Sequence, residues 1–337
     1  MLTKLRIKNF KAWKDTGEVR LAPLTVLFGA NSAGKSSLGH LLLALKQTAA
    51  SADRRRAFHT GDEASLIDLG TFVECLYGHD RNALLEFSLH WKLPEQLEVK
   101  DPLSKSRQKF VGTDLSLTTV LACSPTDQPL VRSLHYELRD QGSAVLTATL
   151  EQSAEGTVQL QTDPYRLVHA DGRKWPLEAP EKFYRVSDRS LARYKNADFL
   201  ADFALEVERN LAALSYLGPL REHPHRTYGW SGNMPEDVGS KGEYAIACLL
   251  AADAAGRKLN RGHKKKLQPF AKFIATWLVD IGVIESFRVR PTAAGRKDYE
   301  VKVKTPGGFV EVGLPDVGFG VSQVLPALVQ AFYCPEG

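Results

Sequence analysis

Residues 24–45 read LTVLFGANSAGKSSLGHLLLAL, and this stretch decides the fold. Within it, residues 29–36 (GANSAGKS) match the pattern G-x-x-x-x-G-K-[ST] at every fixed position. The glycines of this loop let the backbone turn tightly, so that consecutive N–H groups can face an anion. The pattern predicts a loop that holds a polyphosphate, in which Lys35 reaches the β- and γ-phosphates and the Ser36 hydroxyl binds Mg²⁺.

The residues on either side of the loop agree with this pattern. Residues 24–28 are a short apolar run that predicts the strand leading into the loop. Leucines at positions 38, 41, 42 and 45 have helical spacing, and the N-terminus of that helix would favour an anion. The chain is therefore predicted to bind a nucleoside triphosphate, or to descend from one that did. The predicted binding residues are Gly29, Ala30, Asn31, Ser32, Ala33, Gly34, Lys35, Ser36 and Ser37.

Length and composition indicate a globular protein. The 337 residues are 43% hydrophobic and 25% charged, and no apolar run approaches the ~20 residues that cross a bilayer. The N-terminus has no signal-peptide core, and four cysteines are scattered without metal-binding spacing. These features predict a reduced, cytoplasmic protein with no membrane partner. The net charge of +5 permits an acidic partner without requiring nucleic acid.

The opening of the chain resembles a known family. A strand ending in NFK at residues 9–11, a hairpin and then LTVLFGANSAGKSSL resemble the start of the RecF/SMC/OLD-like ATPases, the ABC-type branch of P-loop proteins. Residues 216–226 (YLGPLREHPHR) and 238–245 (VGSKGEYA) are similar to segments of bacterial stand-alone ATPases of this group, several of which act in anti-phage defence. The resemblance implies an ATPase that uses ATP and Mg²⁺ and works as a head-to-head dimer around ATP.

The expected fold is an α/β ATPase head with a mixed sheet, an inserted β-rich lobe and a helical region. Short alternating runs between residues 84 and 177 predict antiparallel strands, whereas helical spacing recurs over 189–216 and 267–284. No long heptad segment is present, so the head is expected to be compact. The predicted parts are an N-terminal ATPase lobe (1–83), a β-rich lobe (84–180), a helical region with a basic loop (181–285) and a hairpin with a signature-like turn and helix (286–337).

A small turn near the C-terminus is similar to the signature sequence of ABC-type ATPases. In that family the turn opens a helix and contacts the γ-phosphate held by the opposite subunit. The spacing here departs from the usual LSGGQ pattern, so a plain helix-capping turn is the alternative interpretation. The residues implied for this role are Gly318, Gly320, Ser322 and Gln323.

Two basic segments have alternative interpretations. Arg221 and Arg226 could face a phosphate or an acidic partner, or form structural ion pairs. Residues 256–266 carry six basic side chains in eleven positions, which indicates either a solvated connector or a nucleic-acid contact. The candidate contacts in that run are Arg257, Lys258, Arg261, Lys264, Lys265 and Lys266.

The family resemblance also implies a Walker B strand that ends in an acidic pair, and the sequence shows none. The chain ends at residue 337, about where this strand is expected, which favours a fragment of a longer protein. Catalytic residues are therefore left unassigned. The first hypothesis is an ATPase whose ATP-dependent association, as a homodimer or higher oligomer, controls an effector or a DNA contact in anti-phage defence. The alternatives are a scaffold that binds ATP without hydrolysing it and regulates a partner nuclease or toxin, and a DNA-repair ATPase.

Overall fold

A computed structural model describes residues 1–102 and 109–334 of the protein. The chain forms two compact units, Met1–Leu214 and Ser215–Gly337, and each has its own hydrophobic core. The boundary after Leu214 falls inside the predicted helical region. The predicted four-part division is not tested by this split and stays a prediction.

One eight-stranded sheet forms the frame of the first unit. Its strands are β1 (Leu2–Phe10), β2 (Trp13–Asp15), β3 (Val19–Arg20), β4 (Leu85–Lys100), β5 (Lys109–Cys123), β6 (Pro129–Asp140), β7 (Ser143–Gln152) and β8 (Val158–Asp163). β4 to β8 follow one another as a meander, and β1 pairs with β4, β2 and β3. The alternating runs predicted between residues 84 and 177 are confirmed as β4 to β8, because one residue in two faces the core.

Helices cover the apolar face of this sheet. They are α1 (Lys35–Ala50), α2 (Phe72–Cys75), α3 (Asp188–Leu191) and α4 (Phe199–Ala212). Phe203 of α4 is fully buried, and its ring lies 5.4 Å from that of Tyr136 and 5.3 Å from that of Phe199. Lys46 of α1 donates a hydrogen bond of 2.9 Å to the carbonyl of Ala212. The two long helices are therefore fixed to each other as well as to the sheet.

The single helix predicted over residues 189–216 is wrong in its extent, because α3 and α4 are separated by a turn. Asn196 in this turn is buried, and its side-chain carbonyl accepts a hydrogen bond of 2.9 Å from the backbone of Val168. The carbonyl of Asn196 accepts a second bond from the hydroxyl of Tyr165. These tertiary bonds replace helical ones at the turn, and spacing alone does not reveal them.

The strand predicted over residues 24–28 is also wrong, since this segment is irregular. Leu24 is 81% exposed and Phe28 is 90% exposed. A strand needs a neighbour, and no described segment forms a ladder with these residues. The predicted mixed sheet is not observed either, because residues 24–28 do not join the sheet. Every described strand pair of the sheet is antiparallel.

The second unit combines three helices with short strands. Its elements are β9 (Tyr228–Gly229), α5 (Ala245–Ala254), β10 (Lys258–Leu259), β11 (Gln268–Pro269), α6 (Phe270–Asp280), β12 (Ser286–Pro291), β13 (Asp298–Lys304), β14 (Val312–Gly313) and α7 (Phe319–Tyr333). The predicted hairpin is confirmed as β12 and β13, and the helix predicted over 267–284 is confirmed in shortened form as α6. None of the helices among the described residues is long and apolar enough to cross a membrane.

Three histidines of the first unit make its stability dependent on pH. Burial lowers the pKa of His40, His59 and His90 below the ordinary value of 6.5. As the pH falls below 6.5, the unfolded chain therefore binds more protons than the folded one, and the free energy of unfolding decreases. We expect a lower thermal midpoint at pH 5.5 than at pH 7.5, with each histidine contributing up to about 1.4 kcal/mol per pH unit.

The control uses one half-buried and one exposed histidine. His90→Gln should reduce the pH dependence of the midpoint, whereas His263→Gln should leave it unchanged, because His263 is exposed. Equal pH dependence in wild type and His90→Gln would contradict this explanation.

Candidate nucleotide-binding site

Residues 29–37 are called the phosphate-loop segment. Their first six residues precede α1, and the last three form the start of this helix. Gly34 has the left-handed conformation, with φ +83°, that its position before the helix requires. The Lys35 Nζ donates hydrogen bonds of 2.9 Å to the carbonyl of Gly29 and 2.6 Å to that of Ala30. The amine of Lys35 therefore lies over the loop, where a phosphate could replace these carbonyls as acceptor.

The N-terminus of α1 is open to an anion. Its first turn contains no acidic residue, and no side chain caps it. The amides of a first helical turn are unsatisfied within the helix and carry a partial positive charge. Ser36, which the motif predicts as the Mg²⁺ ligand, is exposed at this end. The backbone and Lys35 thus provide the positive charge that a polyphosphate needs.

A cavity of about 600 Å³ opens beside the phosphate-loop segment. It is lined by Lys11, Ala12, Ser32, Gly34, Lys35, Ser36, Ser37, Leu69, Gly70, Glu74, Gly78 and His79. No role was predicted from the sequence for Lys11, Glu74 or His79. They come from two other segments of the chain, and of the three only Lys11 belongs to a motif quoted above, the NFK at residues 9–11.

Glu74 provides a negative charge on the wall of this cavity. The backbone N–H of Thr71 donates to its carboxylate at 2.6 Å, and the Thr71 hydroxyl donates at 2.9 Å. These hydrogen bonds lower the pKa of Glu74, so the group is ionised at neutral pH. Among the described residues it is the one carboxylate that lines the cavity.

The groups around the cavity fit Mg²⁺ only together with a phosphate. The described residues contain no cluster of three or more histidine, cysteine, aspartate or glutamate side chains that could hold a metal. Mg²⁺ typically takes few protein ligands and completes its shell with phosphate oxygens and water. Ser36 could provide such an oxygen, which is the role that the motif predicts.

The signature-like residues lie at the start of α7 in the second unit. Gly318 and Gly320 have no left-handed φ, and no described atom lies within 4 Å of a Cβ built on either. The fold of the described residues therefore does not require glycine at these two positions. Ser322 is buried, and the side-chain amide nitrogen of Gln323 is buried with no hydrogen-bond partner among the described residues.

The two arginines of the 216–226 segment differ in their surroundings. Arg226 forms a two-pronged ion pair with Asp316, at 3.1 and 3.0 Å, so its structural interpretation is favoured. Arg221 has two guanidinium nitrogens, Nε and Nη1, that are buried without a hydrogen-bond partner among the described residues. The ion-pair interpretation is thus supported for Arg226, whereas no described partner accounts for the buried donors of Arg221.

The basic run at residues 256–266 separates into structural and exposed side chains. Arg257 donates hydrogen bonds of 2.6 Å to the last carbonyls of α7, those of Phe332 and Tyr333. Arg261 pairs with Asp280 and lies over the ring of Trp277. The exposed lysines, which pair with no described side chain, are Lys258, Lys264, Lys265 and Lys266.

The comparisons with known proteins bear on the first unit. Residues 1–111, about a third of the chain, match the model of the family described as AAA ATPase domain. No curated protein matches the chain. The match covers β1 to β3, the phosphate-loop segment, α1 and residues 69–79, which form the opposite wall of the cavity. This part of the chain is thus similar to an AAA- or ABC-like P-loop ATPase, a class that binds nucleotide and typically uses Mg²⁺.

Proposed function

We propose that the protein binds Mg·ATP in the cavity beside the phosphate-loop segment. The observation that carries this proposal is the coincidence of three features at one place. Lys35 lies over the loop, the N-terminus of α1 is uncapped, and the adjoining cavity of about 600 Å³ can take a nucleotide. The similarity of residues 1–111 to AAA ATPase domains supports ATP as the ligand.

On binding, Lys35 exchanges the carbonyls of Gly29 and Ala30 for phosphate oxygens. The amides at the start of α1 receive the same phosphates, and Ser36 contacts Mg²⁺. Hydrolysis additionally needs a group that activates the attacking water. Glu74 is the one carboxylate that the described residues place at the cavity. It accepts hydrogen bonds from Thr71 that cap the N-terminus of α2, and this structural role accounts for its position. ATP hydrolysis is thus proposed from the ATPase similarity, without an assigned catalytic residue.

We further propose that ATP brings two copies of the protein together, with the start of α7 of one copy against the ATP of the other. Gly318 and Gly320 support this proposal, because glycine allows another molecule to approach the backbone closely. Control of an effector or of a DNA contact, in anti-phage defence, rests on the resemblance of the sequence alone.

Sedimentation with and without Mg·ATP tests the association of two copies. Wild type should sediment as a dimer only with Mg·ATP. Gly320→Leu should bind ATP and stay monomeric, because the new side chain has room in the fold but blocks a close approach. Its affinity for ATP should equal that of wild type at protein concentrations too low for dimerisation. Ala327→Leu is the matched control, since Ala327 is exposed on the same helix. A Gly320→Leu protein that still dimerises on ATP would contradict this arrangement.

A second candidate function is a nucleotide-gated scaffold that binds ATP without hydrolysing it and regulates a partner nuclease or toxin. The observation that favours it is the single carboxylate at the cavity among the described residues. Turnover of ATP by the purified chain, abolished by Lys35→Ala, would exclude it.

The exposed lysines of the basic run provide a test of nucleic-acid binding, as in a DNA-repair ATPase. If they contact phosphates, changing Lys264, Lys265 and Lys266 to Glu should weaken DNA binding and lower the slope of log K against log salt by about 2 to 3. The measurement is a fluorescence-anisotropy titration over several salt concentrations. Lys272→Glu, at an exposed position of α6, is the control. Unchanged binding and slope in the triple variant would discard this contact.

A further inference from the structure

The phosphate-loop segment is held from outside by the side chain of Trp13. This residue opens β2 and pairs with Phe10 across a two-residue turn. Its indole Nε1–H donates a hydrogen bond of 2.9 Å to the carbonyl of Gly34. We propose that Trp13 is a positioning residue, which orients the peptide unit between Gly34 and Lys35 for phosphate binding. The inference rests on the proposed function and assigns a residue outside the loop motif to the same site.

Two hydrogen bonds fix one peptide unit at the end of the loop. The Gly34 carbonyl accepts hydrogen bonds from the indole of Trp13 and from the Ser37 N–H, at 2.9 and 3.0 Å. In a trans peptide the C=O and the N–H point in opposite directions. Two donors that fix the Gly34 carbonyl therefore also fix the Lys35 N–H, which points out of the N-terminus of α1. This amide is among those expected to receive a phosphate.

The contact between the hairpin and the loop is tight. A Cβ placed on Gly34 would lie 2.9 Å from the Cβ of Ala12 and 3.0 Å from the Nε1 of Trp13. No side chain fits between them, and the φ of +83° at Gly34 also favours glycine. The β1–β2 turn and the last glycine of the loop are thus matched to each other in shape.

The same turn is anchored to the opposite wall of the cavity. The Nζ of Lys11 donates to the carbonyl of Leu69 at 2.9 Å, and the backbone N–H of Lys11 donates to the carbonyl of Cys75 at 2.7 Å. The β1–β2 hairpin therefore connects the phosphate-loop segment with residues 69–79 on the opposite wall. Its hydrogen bond to the loop is the one that Trp13 donates to Gly34. Loss of this bond leaves the Gly34 carbonyl with the Ser37 N–H as its remaining donor, without removing any group that touches the nucleotide.

Trp13→Phe in the full-length chain tests this role, because it keeps an aromatic ring and removes the N–H. A typical hydrogen bond predicts about 3- to 10-fold weaker binding of Mg·ATP by calorimetric titration. The nucleotide-free thermal midpoint should fall by no more than the loss of one hydrogen bond explains, and the variant should stay folded at the temperature of the titration. Trp175→Phe is the control, since Trp175 is exposed and lies against Arg173. In nitrogen–proton spectra without nucleotide, the amide signals of Lys35 and Ser36 should shift or broaden only in Trp13→Phe.

Two results would overturn the inference. One is wild-type affinity together with unchanged loop amide signals in Trp13→Phe. The other is a Trp13→Phe protein that is partly unfolded at the titration temperature, with an unfolded fraction large enough to account for the whole loss of affinity, since the bond would then serve only the fold. A wild-type chain that binds no Mg·ATP would instead contradict the proposed function, and the amide signals would still decide whether Trp13 fixes the loop.

Discussion

Lys35→Ala is expected to weaken the binding of Mg·ATP by about 10- to 100-fold. A hydrogen bond to a charged group contributes about 1.5–3 kcal/mol, and each 1.4 kcal/mol is a factor of ten in the dissociation constant. Among the residues that the structure describes, the Nζ of Lys35 bonds only to the carbonyls of its own loop, at 2.9 and 2.6 Å. Its removal should therefore change the affinity much more than the fold. Calorimetric titration gives the dissociation constant, and circular dichroism checks the fold.

Lys92→Ala is the matched control for this experiment. Lys92 is exposed on β4, and its side chain forms no ion pair with described residues. Its loss should leave the affinity for Mg·ATP unchanged, although it removes the same charge. If both variants bind as wild type does, the ligand does not depend on Lys35 and the assignment of the phosphate-loop segment fails.

Phe203→Ala is expected to lower the free energy of unfolding by about 3–5 kcal/mol. Phe203 is fully buried between the rings of Tyr136 and Phe199, where α4 packs on the sheet. The substitution removes apolar contacts and leaves a cavity that the surrounding rings cannot fill without moving. Urea denaturation of the full chain, followed by circular dichroism, measures the change.

Leu205→Ala on the same helix controls for helix propensity and for loss of an apolar side chain. Leu205 is 42% exposed, so the expected loss is about 1 kcal/mol or less. Losses of similar size at both positions would mean that α4 is not packed as the structure has it.

The sequence predicted those parts of the protein in which a short pattern determines the local structure. Alternation of apolar and polar residues is repeated in each strand of the β4–β8 meander, and turn residues separate the strands. The helix after Lys35 follows from the spacing of leucines and from the glycine before it. In these segments the secondary structure that the local sequence favours is also the one that buries its apolar side chains. Tertiary contacts therefore do not override the local preference.

Other features depend on contacts between residues that are distant in sequence. Residues 24–28 have the composition of a strand, but no described strand pairs with them, and composition cannot supply a neighbour. Arg257 belongs to a basic run, yet it caps the end of α7 from 75 residues away. Trp13 and Gly34 are separated by 21 residues and meet only because β1 and β2 turn back beside the loop.

Hydrogen–deuterium exchange of the full chain, with and without Mg·ATP, tests the central claim most directly. Binding slows the exchange of amides that the ligand covers or whose opening it opposes. The account predicts slower exchange in peptides that cover the phosphate-loop segment and the opposite wall at residues 69–79. Unchanged exchange in both segments at saturating Mg·ATP, or protection confined to other regions, would contradict it.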